Sequence, residues 1–180
     1  MKAVLDACVL VPPILREILL GVAAKGLYQP CWSDRLLEEW ARASAKFGPL
    51  AEAEARTRIA LLRAGFPRAC LPAAPQIEAR LHLPDAGDAH VLAVAIAGSA
   101  DAIVTVNAKD FPRHTLAEDK ITRRDPDGFL WELWSFHPAE VETVLTEVQA
   151  EAARRDGAPV TMKSMLKKAR LGRLARAVGA

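Results

Sequence analysis

Hydrophobic and polar positions along this chain alternate between a strand-like and a helical rhythm. Lys2 to Leu5 (KAVL) is a short apolar run that meets Asp6 at once. It is too short for a helix and suits a strand buried on both faces. Pro12 and Pro13 open a segment, 14–24, whose Ile14, Ile18, Leu19 and Val22 fall at helical spacing before Gly26. Tyr28 to Cys31 reads as a second short strand, and Ser33 as the N-cap of a helix with Asp34 in its first turn. Leu36, Leu37, Trp40 and Ser44 share one face of that helix, which leaves Glu38 and Glu39 off its apolar stripe. A third helix is expected over 50–64, then a Pro-rich stretch, 67–84, with one weak helical turn at 77–81. The clearest unit follows. Asp88 to Ala97 (DAHVLAVAIA) predicts a helix ended by Gly98, and the β-branched run Ala102 to Val106 (AIVTV) predicts a central strand. Strands separated by helices in this order imply βαβ units and a parallel sheet, hence an α/β fold. Three further helices are expected over 125–136, 138–155 and 161–178, the last two parted by Gly157 and Pro159.

A length of 180 residues suits one compact domain with an appendage, and 51% hydrophobic against 26% charged residues leaves enough apolar surface for a real core. The net charge of +2 does not mark the whole molecule as a polyanion binder, but its distribution is uneven. Residues 151–180 carry +6 and residues 1–150 carry −4, so an acidic body bears a basic tail. Cys8, Cys31 and Cys70 are scattered and form no C-x-x-C pair, which argues against a disulfide framework or structural zinc and for a reducing compartment. Asp6 interrupts the apolar N-terminus, and no stretch reaches the roughly 18 to 20 apolar residues that span a bilayer. A cytoplasmic protein with no membrane partner is expected.

In an open parallel sheet, ligands bind beyond the carboxyl ends of the strands. Asp6 ends the first strand, Asp88 starts the long helix, Asn107 ends the following strand, and Asp110 lies three residues later. Glu38 or Glu39, near the Ser33 N-cap, completes the set, and spacing does not separate the two. Carboxylates gathered without cations disfavour one another's ionisation, and a divalent metal is the usual remedy. Oxygen donors alone indicate a hard ion, Mg²⁺ or Mn²⁺. Plainer roles compete: Asp85 as a helix cap, Asn107 and Asp110 as turn residues, and the two glutamates as solvated charges. For Asp6 the plain role is costly, because Leu5, Val9 and Leu10 around it favour burial. His82, His90, His114 and His137 show no zinc spacing, and no Walker A, G-x-G-x-x-G or G-x-S-x-G sequence occurs. The phosphatase pattern D-x-D fails because Cys8 takes the second acidic position, and Cys8 itself is expected to be a small buried residue.

The blocks MKAVLDACVLVP (1–12), WSDRLLEEW (32–40), PDAGDAHVLAVAI (84–96) and IVTVNAKDFP (103–112) occur in an order that resembles PIN-domain proteins, and more narrowly VapC-like ribonuclease toxins of bacterial toxin–antitoxin pairs. The resemblance implies an α/β/α sandwich with a mainly parallel sheet over 1–124, followed by a helical C-terminal extension with the basic tail over 125–180. It implies a metal-dependent endoribonuclease that uses Mg²⁺ or Mn²⁺, with RNA as substrate and a protein antitoxin as partner; a homodimer is left open. The site residues matched to the family pattern are Asp6, Glu39, Asp88, Asn107 and Asp110, with Asp6, Asp88 and Glu39 as metal ligands. Glu39 precedes the large apolar Trp40, which is what favours it over Glu38. The chain departs from the pattern at Asn107, where an aspartate is frequent, and at Gly87, where another acid is frequent. These departures leave a second reading, a catalytically inactive PIN-like module that binds RNA or a protein.

Overall fold

The computed structural model describes residues 1–180. In chain order it contains β1 (Lys2–Leu5), α1 (Ala7–Leu10), α2 (Pro13–Ala24), β2 (Gln29–Cys31), α3 (Asp34–Ser44), α4 (Ala51–Gly65), α5 (Pro75–Glu78) and α6 (Ala89–Ala97). There follow β3 (Ala102–Val104), α7 (Arg113–Glu118), β4 (Thr122–Arg124), α8 (Pro126–Phe136), α9 (Pro138–Asp156), α10 (Met162–Lys168) and α11 (Gly172–Ala177). No helix is long and apolar enough to cross a membrane. The chain divides into two compact units, one of residues 1–11 and 29–123, the other of residues 12–28 and 124–180.

The first unit carries the sheet, of strand order β2-β1-β3-β4, flanked by helices. β1 is central because Ala3, Val4 and Leu5 are wholly buried and give both faces apolar side chains. It pairs in parallel with β2, Val4 opposite Cys31, and with β3, Leu5 opposite Val104. Pro30 lacks an N–H, and β2 lies at the sheet edge, where that loss is tolerated. β4 closes the other edge, its Thr122 amide donating to the Asp101 carbonyl over 3.0 Å. From β1 the chain reaches β2 on one side and β3 on the other, so the strand order reverses between β1 and β3. That reversal is where a parallel sheet opens a crevice at its carboxyl edge. The expected Ser33 cap is present, its hydroxyl accepting from the Leu36 amide.

The second unit is helical and contains α2 and α8 to α11. Its apolar faces meet through Ile18, Leu19, Phe129, Leu130, Val141 and Leu145, all at most 1% exposed. α2 and α9 approach closely at Gly21, where a β-carbon would lie 2.6 Å from Val144 Cγ1. Asp125 caps α8 by accepting from the Gly128 amide, and Asp127 accepts from the Arg173 and Leu174 amides at the start of α11. The segment 161–178 forms two short helices rather than one, because Arg170 adopts a left-handed backbone (φ 60°) that ends α10.

Candidate metal centre

The register of β1 against β3 builds the site. Leu5 lies opposite Val104, and the Asp6 amide donates to the Val104 carbonyl over 3.2 Å, so Asp6 and Thr105 leave the sheet side by side. Asp6 is 6% exposed, and the Thr105 hydroxyl donates to its Oδ2 over 2.7 Å. The same hydroxyl accepts from the Asn107 amide at 2.9 Å, which fixes the start of the loop after β3. The Cys8 thiol donates to Asp6 Oδ2 over 3.0 Å. Burial pushes that thiol up to about 12, and the neighbouring Asp6 charge adds to the shift, so Cys8 is a protonated donor and no nucleophile.

Asp88 stands at the other wall, as the N-cap of α6. It follows a short 3-10 turn, Ala86–Asp88, whose own cap is Asp85, accepting from the Gly87 amide at 2.8 Å. One carboxylate oxygen from each of Asp85, Asp88 and Asp110 lies within 4.8 Å of the others. Asp110 is brought there by the loop 105–112, anchored by the wholly buried Phe111 and by the Arg123 guanidinium, which donates to the Ala108 and Phe111 carbonyls. Asn107 Nδ2 donates to Asp88 Oδ2 over 3.4 Å. The carboxyl of Asp88 is pushed up to about 6, first by burial and then by the charges of Asp6, Asp85 and Asp110, with His90 opposing.

Glu39 lies on α3 in a different company. Its Oε1 is 3.0 Å from Nε2 of the buried His90 and 3.3 Å from Nε of Arg35. Burial pushes its carboxyl up, but His90 and Arg35 outweigh that and hold it below the ordinary range. Arg35 also donates to Glu78 Oε1 over 3.0 Å and to the Gly87 carbonyl over 3.2 Å, between Asp85 and Asp88. One guanidinium thus ties α3 to the turn that carries the aspartates. Glu38 is engaged elsewhere, by Arg56 and Arg42, whose hydrogen bonds push its carboxyl down to about 2. Two participants lie outside the site set expected from the sequence. Asp85, expected as a helix cap, is both that cap and a member of the acidic trio. Thr105 gave none, since a threonine in a β-branched run reads as a strand residue. Thr105→Val is expected to cost about 1.5 to 3 kcal/mol of stability, the range for a hydrogen bond to a charged group, as measured by denaturant unfolding.

The reversal point of this parallel sheet thus gathers carboxylates at one rim of an α/β fold. The family model described as PIN domain matches residues 2–109, well over half of the chain, and the chain belongs to the PIN-domain family. No curated protein and no solved structure matches it. PIN domains are generally metal-dependent nucleases, and the acidic trio is compatible with metal binding.

Proposed function

We propose that this chain is a Mg²⁺- or Mn²⁺-dependent endoribonuclease, cytoplasmic, acting as the toxin of a toxin–antitoxin pair. The observation that carries the enzymatic reading is the convergence of Asp85, Asp88 and Asp110 within 4.8 Å, with Asp88 pushed up to about 6 first by burial and then by its acidic neighbours. Such a set is strained by its own charge, and a hard divalent cation fits it. Asp6 and Asp88 are the ligands in this reading, with Glu39 the third acid and Asp85 and Asp110 adding negative charge at the rim. A cation held by these carboxylates would supply charge neutralisation at the scissile phosphate and a nucleophile from water at neutral pH. The protein's part is to hold that geometry. Thr105 and Cys8 fix the Asp6 carboxylate, Asn107 donates its amide to Asp88, and Arg35 holds Glu39, whose Oε1 also lies 3.0 Å from His90 Nε2. The toxin role draws its support from the likeness of the four sequence blocks and from the helices α8 to α11 that follow the sheet in the chain.

Incubating the purified chain with structured RNA tests this. Cleavage with Mn²⁺ that is lost on chelation is expected; no cleavage under any divalent ion would return the chain to the second reading, an inactive module that binds RNA or a protein. Asn107 favours that second reading, because its amide removes one negative charge from the set. RNA binding that is indifferent to metal and never leads to cleavage would establish it.

The two adjacent glutamates give a sharper test. Glu39→Gln is expected to lower turnover roughly tenfold to a hundredfold, the range for groups that orient metal ligands. Glu38→Gln, bound to Arg42 and Arg56 instead, is expected to leave turnover within about twofold, the small effect of losing exposed ion pairs. Equal small losses in both would take Glu39 out of the site.

A further inference from the structure

We infer that the outer face of α10 and α11 is a binding surface for single-stranded RNA, the means by which the helical unit grips substrate; this rests on the ribonuclease reading above. Met165, Leu166, Ala169, Leu171 and Leu174 are buried, so the two helices are seated on the unit and cannot rotate. Lys163, Lys167, Lys168, Arg170, Arg173 and Arg176 are therefore all turned to solvent. Residues 157–180 contain these six cations and no acid. None of the six makes an ion pair, whereas Lys25, Arg124, Arg154 and Arg155 of the same unit each pair with a carboxylate.

A cluster of like charges repels itself unless an anion covers it, and a chain of phosphates covers six cations at once. An acidic protein meets the charge requirement equally, but not the second feature of the surface. The Arg173 guanidinium lies 5.6 Å from the centroid of the Trp131 ring, and that indole is 38% exposed. Exposed indoles and guanidinium planes are the surfaces on which unstacked bases lie, whereas the carboxylates of an acidic peptide pair with a guanidinium but carry no aromatic face to stack on an indole. The carboxylate of Asp127 accepts from the Arg173 and Leu174 amides over 2.7 and 2.9 Å, which sets Arg173 in register with Trp131.

The test is fluorescence anisotropy of a labelled single-stranded RNA with the full chain in EDTA, where cleavage does not intervene. Neutralising Lys167, Lys168 and Arg170 together to Gln is expected to reduce the slope of log affinity against log salt by about 2, since each lost phosphate contact on a single strand removes roughly 0.7. Between about 50 and 200 mM salt the parent's affinity should then fall roughly twentyfold more than the variant's. Arg173→Lys keeps the charge and loses the stacking plane, so it should weaken binding at an unchanged slope. Lys25→Gln, a paired cation of the same unit, serves as the control and should bind like the parent. All four side chains substituted on the face are exposed, and an unchanged thermal melt confirms folding. Unchanged affinity and slope in the triple variant would overturn the proposal. So would a polyglutamate peptide that binds the parent as tightly as the RNA and loses the same factor in the variant, which would make this a face for acidic proteins. Because binding is read without metal, failure to cleave RNA in Mn²⁺ counts against the ribonuclease reading alone, and failure here counts against this surface alone.

Discussion

Asp6→Asn and Asp88→Asn are each expected to lower Mn²⁺-dependent RNA cleavage by roughly a hundredfold or more while leaving the chain folded. The magnitude follows from what a ligand carboxylate sustains: several kcal/mol of charge stabilisation at the scissile phosphate, each 1.36 kcal/mol being about a factor of ten. Asparagine has nearly the shape of aspartate, so Thr105 can still donate to the side-chain oxygen at position 6. What is lost is the negative charge. Cys8→Ser makes the complementary test. The thiol is held protonated near 12 and serves as a donor to Asp6, a function that a hydroxyl retains, so cleavage should stay within a few-fold of the parent. Full activity in either asparagine variant, with contaminating nuclease excluded, would remove that carboxylate from the mechanism. Loss of activity in Cys8→Ser alone would point to thiol chemistry in place of a metal.

The parts of this fold that local sequence determines were legible, and the parts set by tertiary pairing were not. β1 was readable because Lys2 to Leu5 is apolar on both faces, and its observed bounds coincide with that run. α6 was readable because the run Ala89–Ala97, small or apolar at every position but His90, ends at Gly98. Given a parallel sheet, the carboxyl-edge rule then brought Asp6, Asp88, Asn107 and Asp110 to one rim. β4 was missed because Thr-Arg-Arg has no apolar face and is held at the edge mainly by backbone pairing to Asp101. α1 was missed because Ala7 to Leu10 is a single turn continuing directly from the strand end. β3 ends at Val104, two residues before the β-branched run does, because the Thr105 hydroxyl bonds Asp6 and the Asn107 amide and the chain leaves the ladder. The link from Arg35 to Gly87 joins residues far apart in sequence, and no periodicity encodes it. The break between α10 and α11 falls at Arg170, where a left-handed residue that is not glycine gives no compositional warning.

The metal-free chain is expected to become less stable as pH rises through the carboxylate range, and Mn²⁺ to reverse that loss. The Asp88 carboxyl stands at about 6 in the folded chain against an ordinary 3.8, so the folded state binds a proton that the unfolded state releases. A group shifted upward contributes stability that is fully present below about 3.8 and lost as pH climbs through about 6. In EDTA the thermal midpoint should therefore fall between about pH 4 and pH 6.5, and Asp88→Asn should flatten this fall and raise the midpoint at neutral pH by relieving repulsion from Asp6, Asp85 and Asp110. Mn²⁺ is expected to bind the deprotonated cluster, and at one hundred times its dissociation constant a ligand specific for the native state adds about 2.7 kcal/mol, on the order of 5 to 10 °C for a chain of this size. The increment should be large near pH 7.5 and small near pH 5, where Asp88 must first give up its proton, and it should vanish in Asp88→Asn. A melt in which millimolar Mn²⁺ changes nothing at pH 7.5, or raises parent and Asp88→Asn alike, would show that these carboxylates do not hold the ion and that the charge of the cluster serves another purpose.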